Sequence, residues 1–359
     1  MRRLVLNAIT IALLVSASQA QKLAEPKLTP TASTSSQDQL IREGVALHDR
    51  KDYDGAISRY EQVLKENPDN VLALYEMSFS YFEKKDYRKS LEIAYRVAQY
   101  KSEILPRVYV QIGNAFDLLD EPKKAIETYK AGIKLFPSDF LIHYNLALTY
   151  YKLGDHEAAL AAVKKSAGLN PNHPSSHLLL ATLFDRGSYT TPALLAACRF
   201  LVLEPASPRS ASALELVKRK MQGGVSQGKD ENTINIMIDT SAKKDEGDFG
   251  AIDMVIGLAK AAERLEKNKG KTPMQLMVGS FETLLAILGE QKGDRSKFTW
   301  KYYVPYFAEM KKLGHVEAFV FFTNRRSTDP EVSEWLLRNQ GKVQSFLAWS
   351  KAYAWPKMD

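Results

Sequence analysis

The sequence predicts an all-α fold, in which a superhelix of five helical hairpins and a capping helix precedes a small, mainly helical C-terminal domain. Small side chains recur with a period of 34 or 35 residues, which is typical of stacked helical hairpins. A proline follows four of these five side chains after twelve residues. The small residues are Ala56, Ser90, Ala125, Ala159 and Ala193, and the prolines are Pro68, Pro137, Pro171 and Pro205.

Each position of the period has a physical role. Small residues let the two helices of a hairpin approach closely, and proline ends the second helix because it lacks an N–H and clashes with the preceding turn. A lone hairpin cannot bury both faces, so three or more must stack. We therefore expect a solenoid over residues 37–221, with a cap over 208–221 and with hairpins that begin near residues 37, 71, 106, 140 and 174.

The third hairpin carries the clearest motif, and the first hairpin has the turn Lys51-Asp52-Tyr53. The pattern over residues 37–207 resembles the tetratricopeptide repeat (TPR) family. The second hairpin departs most, because Ser102 stands where its proline is expected. The motif residues of the third hairpin are Tyr109, Ile112, Gly113, Phe116, Ala125, Tyr129 and Pro137.

The resemblance implies a concave groove lined by the first helix of each hairpin. Aromatic patches rimmed by polar groups suit a peptide or an amphipathic helix. Lysine, arginine and asparagine are too sparse there to clamp a C-terminal carboxylate. One alternative is that the chain's own C-terminal domain fills the groove. The predicted partner-binding residues are Tyr75, Phe79, Phe82, Val110, Asn114, Tyr144, Leu148, Tyr151 and Lys152.

The N-terminus has the pattern of an export signal. Arg2 and Arg3 precede an apolar run over residues 4–17, and small residues end it at Ser18-Gln19-Ala20. Fourteen residues are too few to span the bilayer as a stable anchor. We expect cleavage after Ala20, export to the periplasm or the extracellular space, and a disordered tether over residues 21–36.

The C-terminal part does not continue the repeat. Residues 222–250 begin with glycines and suit a linker, and residues 251–359 have helical apolar stripes and contain all four tryptophans. Thr272 and Gln275 form a capping-box pattern at the start of one predicted helix. We expect a helical domain here, of a type that the sequence does not name.

Candidate chemistry is sparse along the chain. His173 and His177 are four residues apart, yet prolines around His173 place it in a turn, so we expect no metal site. Cys198, the only cysteine, lies on an apolar helix face and is expected to be buried. The net charge of +7 is not concentrated on one segment, which argues against nucleic-acid binding. No catalytic residue and no cofactor is predicted.

These observations favour an exported, non-catalytic adaptor that binds a peptide or an amphipathic segment of a partner protein. Two alternatives stay open. The C-terminal domain could hold an enzyme or small-ligand site near His315, Glu317 and Trp300, with the repeats serving for localisation. The repeats could also self-associate into a structural assembly; the sequence leaves the oligomeric state open.

Overall fold

The computed structural model describes residues 23, 25–227, 229, 233–236, 245–263, 265 and 268–358; the predicted signal peptide lies outside them. These described residues form seventeen helices and one two-stranded antiparallel sheet. The elements of the repeats are α1 Ser35–Asp49, α2 Tyr53–Glu66, α3 Val71–Glu83, α4 Tyr87–Val97, α5 Leu105–Leu118, α6 Pro122–Leu135, α7 Phe140–Lys152, α8 His156–Leu169, α9 Pro174–Arg186, α10 Thr190–Leu203 and α11 Ser210–Met221. The elements that follow are β1 Val225–Gln227, β2 Ile234–Ile236, α12 Gly250–Ala262, α13 Pro273–Glu290, α14 Phe298–Lys312, α15 Val316–Thr323, α16 Pro330–Arg338 and α17 Gln340–Ala352.

The all-α prediction is confirmed, and the first helix of every hairpin begins within two residues of its predicted start. The chain divides into two compact units, one that ends at Gly132 and one that begins at Ile133. This division differs from the predicted boundary at the 222–250 linker. The C-terminal helices belong to the same unit as the fourth and fifth hairpins, because they pack against the hairpins' helices.

The first and third hairpins of the first unit close around a contact between a glycine and a tyrosine. A Cβ at Gly44 of α1 would overlap the ring of Tyr60 on α2, and a Cβ at Gly113 of α5 would overlap the ring of Tyr129 on α6. Both tyrosines are fully buried. Glycine is required at these two positions because the ring of the paired helix occupies the space that a side chain would need.

Every hairpin turns through one residue in the left-handed backbone region. The five turn residues are Lys51, Lys85, Asp120, Gly154 and Ser188, with φ between 59° and 78°. Only one of them is a glycine, so the other four carry the strain of this conformation. In three hairpins the next residue is an aspartate that caps the second helix through its side chain; these caps are Asp52, Asp86 and Asp155.

The segment over residues 25–34 differs from the predicted disordered tether. Leu28 forms a parallel bridge with Tyr100, in the loop between α4 and α5. Its N–H donates to the carbonyl of Gln99 at 2.9 Å, and its carbonyl accepts from the N–H of Lys101 at 2.8 Å.

The last residues of the same segment cap α1, which begins two residues earlier than predicted. Thr34 and Gln37 form a capping box, each side chain accepting from the other residue's backbone N–H, and α1 therefore begins at Ser35. Asn67, in the loop after α2, donates to the carbonyl of Ala32 at 3.2 Å. The ordering of this segment thus comes from contacts with distant loops, which local composition does not reveal.

In the second unit, α10 is enclosed on all sides. Every residue from Thr191 to Val202 is buried, and α9, α11, α12, α14 and α15 all contact the helix. Thr191 donates to Asp253 of α12 at 2.6 Å. The burial of Cys198 is confirmed, and this burial raises the pKa of its thiol. A helix that is apolar on all sides is stable only when it is covered in this way.

Arg199 is the one charged residue of α10, and its guanidinium is held by aromatic rings. It lies 5.1 Å from the ring centre of Tyr306 and 4.8 Å from that of Trp355. It donates to Ser350 at 3.0 Å and to the carbonyl of Pro171 at 3.2 Å. These bonds and cation–π contacts join α10 to α14, α17 and the tail that follows α17.

The helix α8 also contacts the C-terminal residues. Tyr302 of α14 donates to the carbonyl of Ala167 at 2.7 Å. Lys164 forms an ion pair with Glu246, which is almost fully buried and lies in the predicted linker. The linker is therefore partly structured, because β1 and β2 also pair there. Further along the chain, the predicted capping box of Thr272 is confirmed at the start of α13. Ile234, Ile236 and Ile238 alternate with polar residues in the sequence, a pattern that predicts a short strand. Ile234 and Ile236 lie in β2, and Ile238 lies outside the described residues.

Candidate functional site

In the first unit, α3 presents a row of half-buried aromatic rings. Tyr75, Phe79 and Phe82 stand four and three residues apart, so they share one helix face. The ring centroids of Tyr75 and Phe79 are 6.3 Å apart with nearly parallel planes, and those of Phe79 and Phe82 are 6.4 Å apart. On the side towards α1, His48 stacks on Phe79 at 4.9 Å. We refer to these four side chains as the aromatic ladder.

Neighbouring groups hold the ladder in place. The hydroxyl of Ser80 lies 2.8 Å from Nδ1 of His48, which fixes the imidazole plane over Phe79. Tyr87 of α4 meets Phe82 edge-on at 5.4 Å. The rings thus form a preorganised apolar surface that is only partly covered, the kind of surface that an apolar anchor of a partner would bury.

Charged groups from three helices surround one end of the ladder. Burial raises the pKa of the Tyr75 hydroxyl and of the neighbouring Glu76 carboxyl. The positive charge of Arg107 on α5 opposes both shifts, whereas the negative charge of Asp49 on α1 adds to the shift of Glu76. At this end of the ladder two carboxyl groups, those of Glu76 and Asp49, thus stand against one cation, Arg107.

The predicted groove residues of α5 are both half-buried. Val110 adds apolar surface. The side-chain oxygen of Asn114 accepts from the hydroxyl of Tyr129 at 2.7 Å, so this oxygen stabilises the hairpin itself. Sequence reasoning placed Asn114 on the groove face but missed this internal bond, because the bond depends on the approach of two helices.

In the second unit, the predicted groove side chains of α7 contact neighbours within the same unit. Tyr144 meets the ring of His173 edge-on at 4.8 Å. The guanidinium of Arg186 lies over the ring of Tyr151 at 5.3 Å. Leu148 is half-buried and Lys152 is exposed. The aromatic faces of α7 are thus partly covered by the protein's own side chains.

The residues suggested for an enzyme or ligand site in the C-terminal helices pack against other side chains. Trp300 is 2% exposed and stacks on Phe249 at 4.6 Å. His315 lies 5.4 Å from the ring of Trp349, and Glu317 accepts from the indole N–H of Trp335 at 3.2 Å. Trp300 therefore belongs to the core of the unit, whereas His315 and Glu317 are half-buried and contact tryptophans of the same unit.

The histidine pair also has a structural role. The ring of His177 is fully buried: its Nε2–H donates to the carbonyl of Pro171 at 2.9 Å, and its Nδ1 accepts from the hydroxyl of Tyr303 at 2.6 Å. Burial lowers the pKa of His177 to about 3, so the ring is neutral. Nδ1 of His173 lies 2.8 Å from the hydroxyl of Ser176. In the described part of the chain, His, Cys, Asp and Glu form no group that could hold a metal ion.

Comparison with known families agrees with the hairpin geometry. Profiles described as tetratricopeptide repeat match residues 47–100 and 141–173, and one described as TPR repeat matches residues 113–154. The chain carries tetratricopeptide repeats within residues 47–173. TPR units act as protein-interaction scaffolds, and the repeats of this chain support the same general role. Among the described residues, no helix is both long and apolar enough to cross a membrane.

The chain is similar to several curated proteins over part of its length. It is 26% identical over 155 residues to DnaJ homolog subfamily C member 3 of Gallus gallus, in a match that covers 37% of this chain and 29% of that protein. It is 28% identical over 152 residues to TPR repeat-containing protein MJ1428 of Methanocaldococcus jannaschii, in a match that covers 38% of this chain and 26% of that protein. The chain therefore spans less than a third of the length of these relatives.

Two solved structures of TPR proteins are similar to part of this chain. The thermophilic TPR protein TTC0263 of Thermus thermophilus is 22% identical, and the match covers 51% of this chain and 96% of that one with a TM-score of 0.41. YrrB, titled a TPR protein with an unusual peptide-binding site, is 16% identical, with coverage of 51% and 94% and a TM-score of 0.38.

Two features of the structure were not predicted, although the sequence contains a clear indication of one of them. The TPR helix α10 carries a single charged residue, whereas α2, which holds the same place in the first hairpin, carries five. That contrast predicts that α10 is covered, and the C-terminal helices cover it. The docking of residues 25–34 on the loop after α4 had no comparable signal, because it consists mostly of backbone hydrogen bonds.

Proposed function

We propose that this protein is a non-catalytic adaptor whose first unit binds a peptide or an amphipathic segment of a partner protein on the aromatic ladder. The observation that carries the proposal is the row of half-buried rings on α3, held rigid by His48 and Tyr87. Rigid aromatic anchors give large contact area at a small entropic cost, and they dominate the energetics of many interfaces. The TPR repeats of residues 47–173 support an interaction role of this kind.

We further propose that the chain is exported and that its signal segment is removed after Ala20. The supporting pattern is the arginine pair, the apolar run and the small residues at the cut. Cell fractionation combined with N-terminal sequencing should find Gln21 at the N-terminus in the envelope or the medium. A cytoplasmic chain that retains Met1 would contradict this part of the proposal.

Site-specific photocrosslinking tests the adaptor function in the native cell. A benzophenone amino acid at Phe79 should yield a product with one or a few proteins, and mass spectrometry should map the crosslink to a single segment of each. The same amino acid at Gln62, an exposed position on α2, is the matched control. Identical crosslinked products at both positions would refute specific binding on the aromatic ladder. Products with a second copy of this chain would favour the self-assembling alternative.

A further inference from the structure

The rim of the aromatic ladder carries a carboxylate that has no direct partner among the described residues. Glu76 follows Tyr75 on α3 and is half-buried, and within the described residues it has no hydrogen bond or ion pair. The carboxylate of Asp49, at the end of α1, interacts unfavourably with it, and Arg107 of α5 is the one cation in the described part of the chain that acts on it. Two carboxylates against one exposed guanidinium leave this end of the ladder negative.

The arrangement is costly in the free protein. Taking a carboxylate partly out of water without a direct partner disfavours its charged form, and a like charge nearby adds to the cost. An incoming cation would relieve both effects at once. The site therefore gains more from a positively charged group than from a neutral one, and it repels an acidic group.

The aromatic faces favour the same ligand chemistry. The rings of Tyr75 and Phe79 are parallel within 1°, and ring faces attract ammonium and guanidinium groups. The long side chains of lysine and arginine also pack their methylene groups on apolar surfaces while the charged end stays at the rim. One basic side chain can thus contact the rings with its stem and the carboxylates with its head.

Building on the adaptor function proposed above, we propose that the aromatic ladder recognises a basic segment of its partner. A lysine or arginine of that segment lies on Tyr75 and Phe79 and pairs with Glu76 and Asp49, while neighbouring apolar residues cover Phe82 and Val110. Arg107 competes with the incoming cation for the same carboxylates. A segment that ends in a free carboxylate, or one rich in acidic residues, is disfavoured.

The test begins with a random 12-residue peptide library displayed on phage and selected on the full chain. Each round is depleted on the Tyr75→Leu/Phe79→Leu double variant, so the surviving peptides depend on the ladder. We expect the surviving pool to be enriched in lysine and arginine relative to the input library. Circular dichroism of the double variant checks that its helices are intact.

Affinities of the dominant peptide then test the named residues. Glu76→Gln should weaken binding about five- to tenfold, and Arg107→Gln should strengthen it about two- to threefold, because the competing cation is gone. Glu61→Gln, an identical charge change at an exposed position of α2, should leave affinity unchanged. The opposite signs at Glu76 and Arg107 are not expected from a general loss of stability.

The outcomes separate the two proposals. A ladder-dependent pool without an excess of basic residues, or a basic peptide that Glu76→Gln binds as tightly as the parent chain, overturns the basic-segment inference and leaves the adaptor function standing. The absence of any ladder-dependent pool overturns the adaptor function as well.

Discussion

The helices α2 and α10 hold the same place in the first and fifth hairpins but meet different surroundings. Glu61 and Gln62 of α2 are exposed, whereas the corresponding Cys198 and Arg199 of α10 are each only 1% exposed. The residues of α2 that point away from its hairpin are polar, and those of α10 are covered by α12, α14 and α15. The second helix of a hairpin is therefore solvent-exposed on its outer face in the first hairpin and buried on all sides in the fifth.

This difference shows that the repeat determines the hairpin but not what lies on its outer face. In both helices the small residue facing the partner helix is fully buried, Ala56 in one and Ala193 in the other. The outer face is free to vary, and its polarity decides whether another element must cover it. The following experiments test this contrast.

The largest effect is expected from a charge on the enclosed helix. Cys198→Glu would bury a carboxylate among apolar side chains and should lower the free energy of unfolding of the second unit by at least about 4 kcal/mol. All four tryptophans lie in this unit, so urea unfolding followed by tryptophan fluorescence reports on it selectively. The reverse change, Glu61→Cys on α2, should stay within about 0.5 kcal/mol, measured by circular dichroism. Equal changes in unfolding free energy at the two positions would show that α10 is no more sensitive to charge than α2.

Substitution of Arg199 should also cost more stability than substitution at the equivalent position of α2, but less than Cys198→Glu. Arg199→Ala removes the stacking on Tyr306 and Trp355 together with the hydrogen bonds of the guanidinium, and it leaves a cavity. We therefore expect a loss of about 3 kcal/mol in the unfolding free energy. Gln62→Ala, at the equivalent place in α2, should change it by less than about 0.5 kcal/mol. Arg199→Met restores the volume without the hydrogen bonds. If it recovers none of the loss, packing on the two rings is not the main contribution.

The helix contacts inside the hairpins differ between units as well. Gly44→Ala should lower the unfolding free energy of the first unit by about 2 kcal/mol, because the methyl group overlaps the ring of Tyr60. The equivalent positions of the fourth hairpin hold Ala147 and Val163. The double variant Gly44→Ala/Tyr60→Val should therefore be more stable than Gly44→Ala alone, as judged by hydrogen exchange of α1 and α2. A double variant that is less stable would show that ring burial outweighs the overlap.

The turns should give the smallest effect. Lys85→Gly relieves a left-handed lysine and should raise the unfolding free energy by about 0.5 kcal/mol, after allowance for the greater freedom of glycine in the unfolded chain. Gly154→Ala in the fourth hairpin should lower it by about 1 kcal/mol. Thermal unfolding of both variants checks the pair. Shifts of the same sign would mean that the turn geometry does not control stability here.

Much of the fold was predictable because it depends on neighbours along the chain. The hairpin starts, the capping box at Thr272 and the burial of Cys198 follow from local patterns, and each is present in the structure. The predicted aromatic face of α3 is likewise a matter of four- and three-residue spacing on one helix. The site residues themselves remain predictions about binding, which the crosslinking and peptide experiments address.

The unforeseen features depend on residues far apart in sequence. The stacking of Arg199 on Trp355 joins positions 156 residues apart, and the bridge from Leu28 to Tyr100 joins positions 72 apart. The charge environment of Glu76 likewise comes from Asp49 and Arg107, on two other helices. Such contacts have no period and no local composition by which they could be recognised.

The sequence alone determined that this chain forms TPR hairpins, where each begins, and which helix face carries the aromatic rings. It could do so because a hairpin is specified by small residues, caps and turns within one period. Only the tertiary structure decided that the C-terminal helices enclose α10, that residues 25–34 dock on the loop after α4, and that the ladder has an acidic rim. Those outcomes depend on which surfaces remain uncovered once the hairpins have formed, and that is a property of the folded protein.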